Sequence, residues 1–234
     1  DVAAHHIIVA GLQALLPDVP VLSEEGDLPT FEERQRWPLY WLVDPLDGTK
    51  EFIQRNGEFT VNIALIEAGR PIFGVVTVPV TGVTYWGAST LGAHKIEQGV
   101  AMPLSVRTIH SRIEQQQAVE IVASRRHGSE AMETLKRALS AHFSDVAYKN
   151  MGSSLKLCLI AEGKADCYPR LAPTCEWDTA AAQAVVEAAG GTVVDDQFHR
   201  LDYNTSSSLL NPFFYVIADM SYPWREILLA QKTT

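Results

Sequence analysis

The sequence lacks any long apolar run: no uninterrupted hydrophobic stretch reaches the roughly 20 residues that a membrane-spanning helix needs. Nor does a basic segment followed by an apolar one open the chain, so no secretory leader is legible. Positive charge is scarce as well. Nineteen Lys and Arg stand against 28 Asp and Glu, a net charge of −9, which excludes a broad basic surface for a nucleic acid polymer. A small phosphorylated ligand stays open, because bound divalent cations reverse the local sign of an acidic pocket. Cysteine is down to three residues, Cys158, Cys167 and Cys175, with no C-x-x-C pair, so neither a disulfide framework nor a zinc site is indicated. Cys158, inside "LKLCLIA", reads as a small buried hydrophobe. The odd count fits a reducing compartment, and the location expected is the cytoplasm, with peripheral attachment to the inner face of a bacterial inner membrane left open. Low-complexity tracts, internal repeats and a convincing nucleophile–base motif are all missing. What is there is ordinary globular material, 234 residues with 47% hydrophobic and 20% charged, enough for one large core or two modest ones.

The patterning changes midway. "DVAAHHIIVAGLQALLPD" predicts a helix, "VPVLSEEG" a short strand that delivers Glu24 and Glu25 at its end, and "LYWLV" a buried strand that ends at Asp44. "FTVNIALIEAGRPIFGVVTVPVTGVTYWG" is rich in β-branched residues, with turn signals at Ala68-Gly69 and Thr81-Gly82, and predicts a three-stranded antiparallel meander. The polar stretch around 104–117 is read as a boundary between an N-terminal α+β domain, 1–104, and a C-terminal α/β domain, 105–234. Beyond it strands and helices alternate, ending in "WDTAAAQAVVEAAGG", a helix with Asp178 in capping position and a Gly-Gly stop.

Four acidic positions, Glu24 (with Glu25), Asp44, Asp47 and Asp178, fall at strand ends or a helix start, where α/β proteins gather their loops into sites. Read singly, each has a plain alternative: a turn-capping Asp, a surface acidic pair, a helix cap. Read together they are an oxygen-donor set suited to Mg²⁺, to which the Leu46 carbonyl adds a neutral oxygen. Gly48 permits close backbone approach, and the N–H groups after it suit a phosphate. Arg125, Arg126 and His127 in "ASRRHGSE", the helix start "GSSLK" and Arg170 are candidate anion contacts, or else a solvated basic loop and an ordinary cap. His5 and His6 read as surface or core residues, and the four methionines as packing.

"DPLDGTKEF", "SEEG" and "WDTAAAQAVVEAAGG", in this order and spacing, resemble the three signatures of the inositol monophosphatase superfamily of Mg²⁺-dependent, lithium-sensitive phosphatases. The run "KEFIQRNGEFTVNIALI" is most similar to its bacterial 3′(2′),5′-bisphosphate nucleotidase branch. The resemblance implies a layered α-β-α-β-α sandwich and two or three Mg²⁺ held by Glu24, Asp44, the Leu46 carbonyl, Asp47 and Asp178. It implies that Thr49 orients or deprotonates the attacking water, helped by the last residue of a T-x-x-D motif, Asp1, and that the chain lacks one or two helices the family carries before this point. It places the substrate against Glu24, Leu46, Asp47, Gly48, Thr49, His127, Gly152, Ser153, Lys156 and Asp178. The activity implied is removal of the 3′-phosphate from 3′-phosphoadenosine 5′-phosphate by water, without a phosphoenzyme. An inositol-phosphate or sugar-phosphate phosphatase, and a protein-interaction role with weak catalysis, are the alternatives.

Overall fold

A computed structural model describes residues 1–123 and 130–229. In chain order its elements are α1 (Val2–Leu15), β1 (Val21–Ser23), α2 (Phe31–Arg34), β2 (Leu39–Asp47), α3 (Thr49–Ile53), β3 (Thr60–Glu67), β4 (Arg70–Val78), β5 (Val83–Ala88), β6 (Gly92–Glu97) and β7 (Val100–Leu104). These are followed by α4 (Ile109–Glu114), β8 (Val119–Ala123), α5 (Glu130–His142), β9 (Val146–Asn150), α6 (Leu155–Ala161), β10 (Cys167–Arg170), α7 (Glu176–Ala188), β11 (Thr192–Asp195), β12 (Phe214–Ile217) and α8 (Trp224–Leu229).

The first sheet runs β1 to β7 in sequence order, with β1 parallel to β2 and every other pair antiparallel. The second is mixed, in the order β11-β12-β10-β8-β9. Alternation along the strands sends their side chains into three layers of core. Trp41 and Val43 of β2 point toward Leu12 of α1. Tyr40 and Leu42, on the opposite face, join Ala64 and Ile66 of β3, α6, α7 and one face of the second sheet through Val122, Tyr168 and Val216. The other face of that sheet, through Ile121, Cys167 and Tyr215, packs on α5 and α8. The sequence of layers is therefore helix, sheet, helices, sheet, helices, the α-β-α-β-α sandwich expected.

Three local expectations need correction, and two short helices are added to them. β2 does not stop at Asp44 but continues to Asp47. The meander has two further strands, β6 and β7; β7, at the sheet edge, is largely exposed (Val100 and Met102 among its residues) and gives the weak pattern typical of an edge. Two short helices stand beside the expected elements: α4 within the stretch 104–117, and α2, capped by Thr30, ahead of β2. Asp178 is the third residue of α7 rather than its N-cap, which is Cys175.

Candidate active site

Asp44 and Asp47 are three residues apart, and in a regular strand that spacing would put them on opposite faces. The pairing with β3 solves this. Asp44 lies opposite Asn62 and Asp47 opposite Thr60, with an irregularity between the two pairs. Three steps on β2 thus answer two on β3, the signature of a β-bulge, and both carboxylates take the face that Thr60 and Asn62 share. Pro45 and Leu46 sit in the bulge, where Pro45 has no N–H to lose from the ladder. The Leu46 N–H donates to Asp44 Oδ1 at 2.9 Å. After the bulge, Gly48 turns the chain at φ +93° into α3.

Asp178 comes from the opposite direction, in the first turn of α7, where its Oδ2 accepts the Cys175 N–H at 2.8 Å. Carboxylate oxygens of Asp44, Asp47 and Asp178 all lie within 4.8 Å of one another. Glu24 joins from the turn after β1. Its N–H donates to the carbonyl of Val43 at 3.2 Å, which places its side chain beside Asp44.

Electrostatics registers the crowding. Burial, then repulsion from Asp47, Glu24 and Asp178, pushes Asp44 up to about 10. Burial and the charge of Asp47 push Asp178 up to about 7. Glu24 is raised by loss of water around its carboxyl and by Glu25 and Asp47. Asp47 is raised by burial, against the pull of Lys156 and the Ser154 N–H. Three acids held this close, with Glu24 beside them and only oxygen donors on offer, fit a hard divalent cation better than they fit any arrangement of protons.

The cluster heads a cleft of about 270 Å³. It is lined by Gly48, Lys50, Glu51 and Gln54 of the α3 region, by Gly152, Ser153 and Lys156 around the start of α6, and by Arg170 at the end of β10. Lys156 is buried, and its ammonium donates to the carbonyl of Ser153 at 2.7 Å and that of Met151 at 3.4 Å. Burial lowers it to about 8, partly offset by Asp47, Glu51 and Glu58. Arg170 is held by the carbonyls of Ala172 and Pro173. Thr49 opens α3 with an exposed side chain and is not among the residues lining the cleft. Asp1 is the exposed N-cap of α1, accepting the Val2 N–H at 3.0 Å, and no hydrogen bond links it to Thr49 among the described residues. Arg125, Arg126 and His127 lie outside the described residues.

Sequence reading missed the polar residues beneath the carboxylates, Thr60, Asn62 and Ser154. Their signal was present in "FTVNIALI", where Thr60 and Asn62 alternate in phase with Ala64 and Ile66, two polar side chains on an otherwise apolar face. It also missed Lys50, Glu51 and Gln54 as lining of the cleft.

The sequence profile described as the inositol monophosphatase family matches residues 1–222. The chain is 50% identical to the 3′(2′),5′-bisphosphate nucleotidase CysQ of Salmonella typhimurium, over 92% of this chain and 82% of that one. Against the same-named protein of Escherichia coli K12 the identity is 51%, with the same coverage. The crystal structure of CysQ from Bacteroides thetaiotaomicron, described as a bacterial member of the inositol monophosphatase family, superposes with a TM-score of 0.80 at 44% identity, covering 92% of this chain and 81% of that one. With the bulge-borne Asp pair, the helix-borne Asp178 and the layered fold, these matches leave one assignment: the chain belongs to the inositol monophosphatase family.

Proposed function

We propose that this protein is a Mg²⁺-dependent 3′(2′),5′-bisphosphate nucleotidase that hydrolyses the 3′-phosphate of 3′-phosphoadenosine 5′-phosphate to AMP and phosphate, clearing a by-product of sulfate assimilation. The observation that carries it is the cleft itself, acidic at its head and lined by Lys50, Lys156 and Arg170 along its walls. A bisphosphorylated nucleotide needs both: an ion-binding end for the phosphate that leaves and cationic walls for the one that stays. Half-identity with nucleotidases across nearly the whole chain points to the same substrate class.

Glu24, Asp44, Asp47, Asp178 and the Leu46 carbonyl would hold the ions, two or three in number. When bound, Mg²⁺ supplies an acidified water and charge stabilisation on the phosphoryl and leaving oxygens. The chain's own part is positional. The Gly48 turn and the backbone N–H groups that open α3 hold the scissile phosphate against the carboxylates. The Thr49 hydroxyl, at the start of α3, orients the attacking water. Lys156, fixed on the Met151 and Ser153 carbonyls, presents its remaining proton and charge to the nucleotide together with Arg170. His127, which follows β8 in the sequence, completes the nucleotide contacts in this reading. No step calls for a side-chain nucleophile.

The test is phosphate release with Mg²⁺ from 3′-phosphoadenosine 5′-phosphate and from inositol 1-phosphate, side by side. A preference for the nucleotide of a hundredfold or more in kcat/KM is expected, about 2.7 kcal/mol of differential transition-state stabilisation. The reverse preference would keep the phosphatase and discard the nucleotide. Mg²⁺ binding without release from either would favour an interaction protein on a phosphatase fold.

A further inference from the structure

Thr60, Asn62 and Ser154 are polar yet 0%, 1% and 2% exposed, and they touch one another beneath Asp47. Burying three such groups costs stability unless each is hydrogen-bonded, and an apolar trio would fill the same space. Their proton accounting has one solution. The Ser154 hydroxyl donates to Asn62 Oδ1 at 2.8 Å. Its single proton is then used, so in the 2.8 Å contact between Thr60 Oγ1 and Ser154 Oγ the donor is Thr60. With its oxygen taken by Ser154, Asn62 turns its Nδ2 to Asp47 Oδ2 at 3.3 Å. The same oxygen accepts the Ser154 backbone N–H at 2.6 Å, and Thr60 Oγ1 stands 3.4 Å from it. Asp47 Oδ1 accepts no hydrogen bond among the described residues.

The geometry points to a positioning device. We propose that the directed chain Thr60 to Ser154 to Asn62 to Asp47 locks one oxygen of this carboxylate, so that the other stays aimed into the acidic cluster for a divalent cation. Ser154 acts twice, directly through its amide and indirectly through Asn62. The device also joins the first sheet to the start of α6: Asp47, Thr60 and Asn62 stand on β2 and β3, whereas Ser154 precedes α6. The Gly152 N–H, donated to Glu58 Oε2 at 2.7 Å, fixes the same turn from β3's side. Thr60, Asn62 and Ser154 are positioning residues, acting on the ion only through Asp47.

The inference rests on the metal-binding reading of the cluster, and its test separates the two. Mn²⁺ binding to the full chain would be measured by the paramagnetic resonance of free Mn²⁺, with thermal melting of each metal-free variant alongside. Asn62→Leu is expected to raise the Mn²⁺ Kd about tenfold or more, the usual effect of removing a group that orients a ligand. Thr60→Val, which removes one hydroxyl at constant volume, is expected to weaken binding in the same direction, and Thr60→Ser to restore it. This pair keeps the test alive if Asn62→Leu fails to fold. Folded Asn62→Leu and Thr60→Val proteins whose Kd stays within twofold of the wild type would overturn the device, even with lowered melting temperatures, since that is what mere packing predicts. If Asp47→Asn also binds Mn²⁺ like the wild type, the metal reading fails and takes the device with it.

Discussion

Cys175 occupies the N-cap of α7, a position where an oxygen acceptor is normally found. Its thiol is half-buried, and burial together with Asp178, Glu24 and Asp44 pushes it up to about 11. A thiol so far from ionisation is a poor nucleophile and a weak acceptor, so its place in the fold is a cap of low quality. The helix end is held instead by the reciprocal bond from the Cys175 N–H to Asp178, which draws a carboxylate of the cluster into structural service. Cys175→Ser supplies a stronger acceptor at nearly constant size. We expect it to stabilise the protein by about 0.5–1 kcal/mol, read as a rise of about 1–4 °C in melting temperature for a chain of this length. An unchanged or lower melting temperature would mean that sulfur packing at this position outweighs the cap.

Helix α7 lies against the first sheet more closely than side chains would allow. Gly74 on β4 and Gly87 on β5 are register partners, and together they leave a bare strip across the sheet. A Cβ on Gly74 would stand 2.1 Å from the carbonyl oxygen of Ala181, and one on Gly87 would stand 2.7 Å from the Cα of Val185. Neither neighbour can rotate aside, because both are backbone. Gly74→Ala is therefore expected to cost about 3 kcal/mol or more, seen as a lower denaturation midpoint, and to displace the helix that carries Asp178. Gly11, in the exposed middle of α1 with open space around its Cβ position, should behave oppositely: Gly11→Ala should stabilise by about 0.5–1 kcal/mol. Equal effects from the two substitutions would refute this account of how α7 docks. The contrast also marks how much the sequence disclosed. Runs such as "LYWLV" and the Ala-rich helix show their elements because burial writes a period into them, and the carboxylates show as motifs because they are local. The Gly74–Gly87 strip, the β2 bulge and the Ser154–Asn62–Asp47 chain depend on which strands meet in which register, and no local pattern encodes that.

The whole molecule carries a net charge of −9, and part of that charge is concentrated where it opposes folding. Asp44, pushed to about 10, Asp178, to about 7, and Glu24 and Asp47, both raised, bind protons in the folded state at pH values where the unfolded chain has released them. Glu176, raised to about 7 by burial against the opposing Asn204 N–H and Arg34, behaves alike. Stability follows the difference in bound protons, so these groups favour the folded state fully below the ordinary carboxylate range and lose that contribution as pH rises through their folded values. Glu120 and Asp219, both lowered by hydrogen bonds that outweigh burial, have the opposite sign, but their contribution is lost only as pH falls below that ordinary range. Lys156, lowered to about 8 by burial, adds an opposite slope only above that value. Between about pH 5 and 8 the raised acids decide. In a chelator, the melting temperature should fall as pH rises from 5 to 8. Mg²⁺ should reverse the fall, because a cation that binds only the folded, ionised cluster stabilises by about 2.7 kcal/mol at a hundredfold excess over its Kd. At pH 5, with protons already in the cluster, the same Mg²⁺ should stabilise much less. Melting curves at pH 5 and 8, each with chelator and with Mg²⁺, decide the matter. A metal-free protein that melts higher at pH 8, or a Mg²⁺ shift equal at both pH values, would show that the four carboxylates do not act as one ion-binding unit.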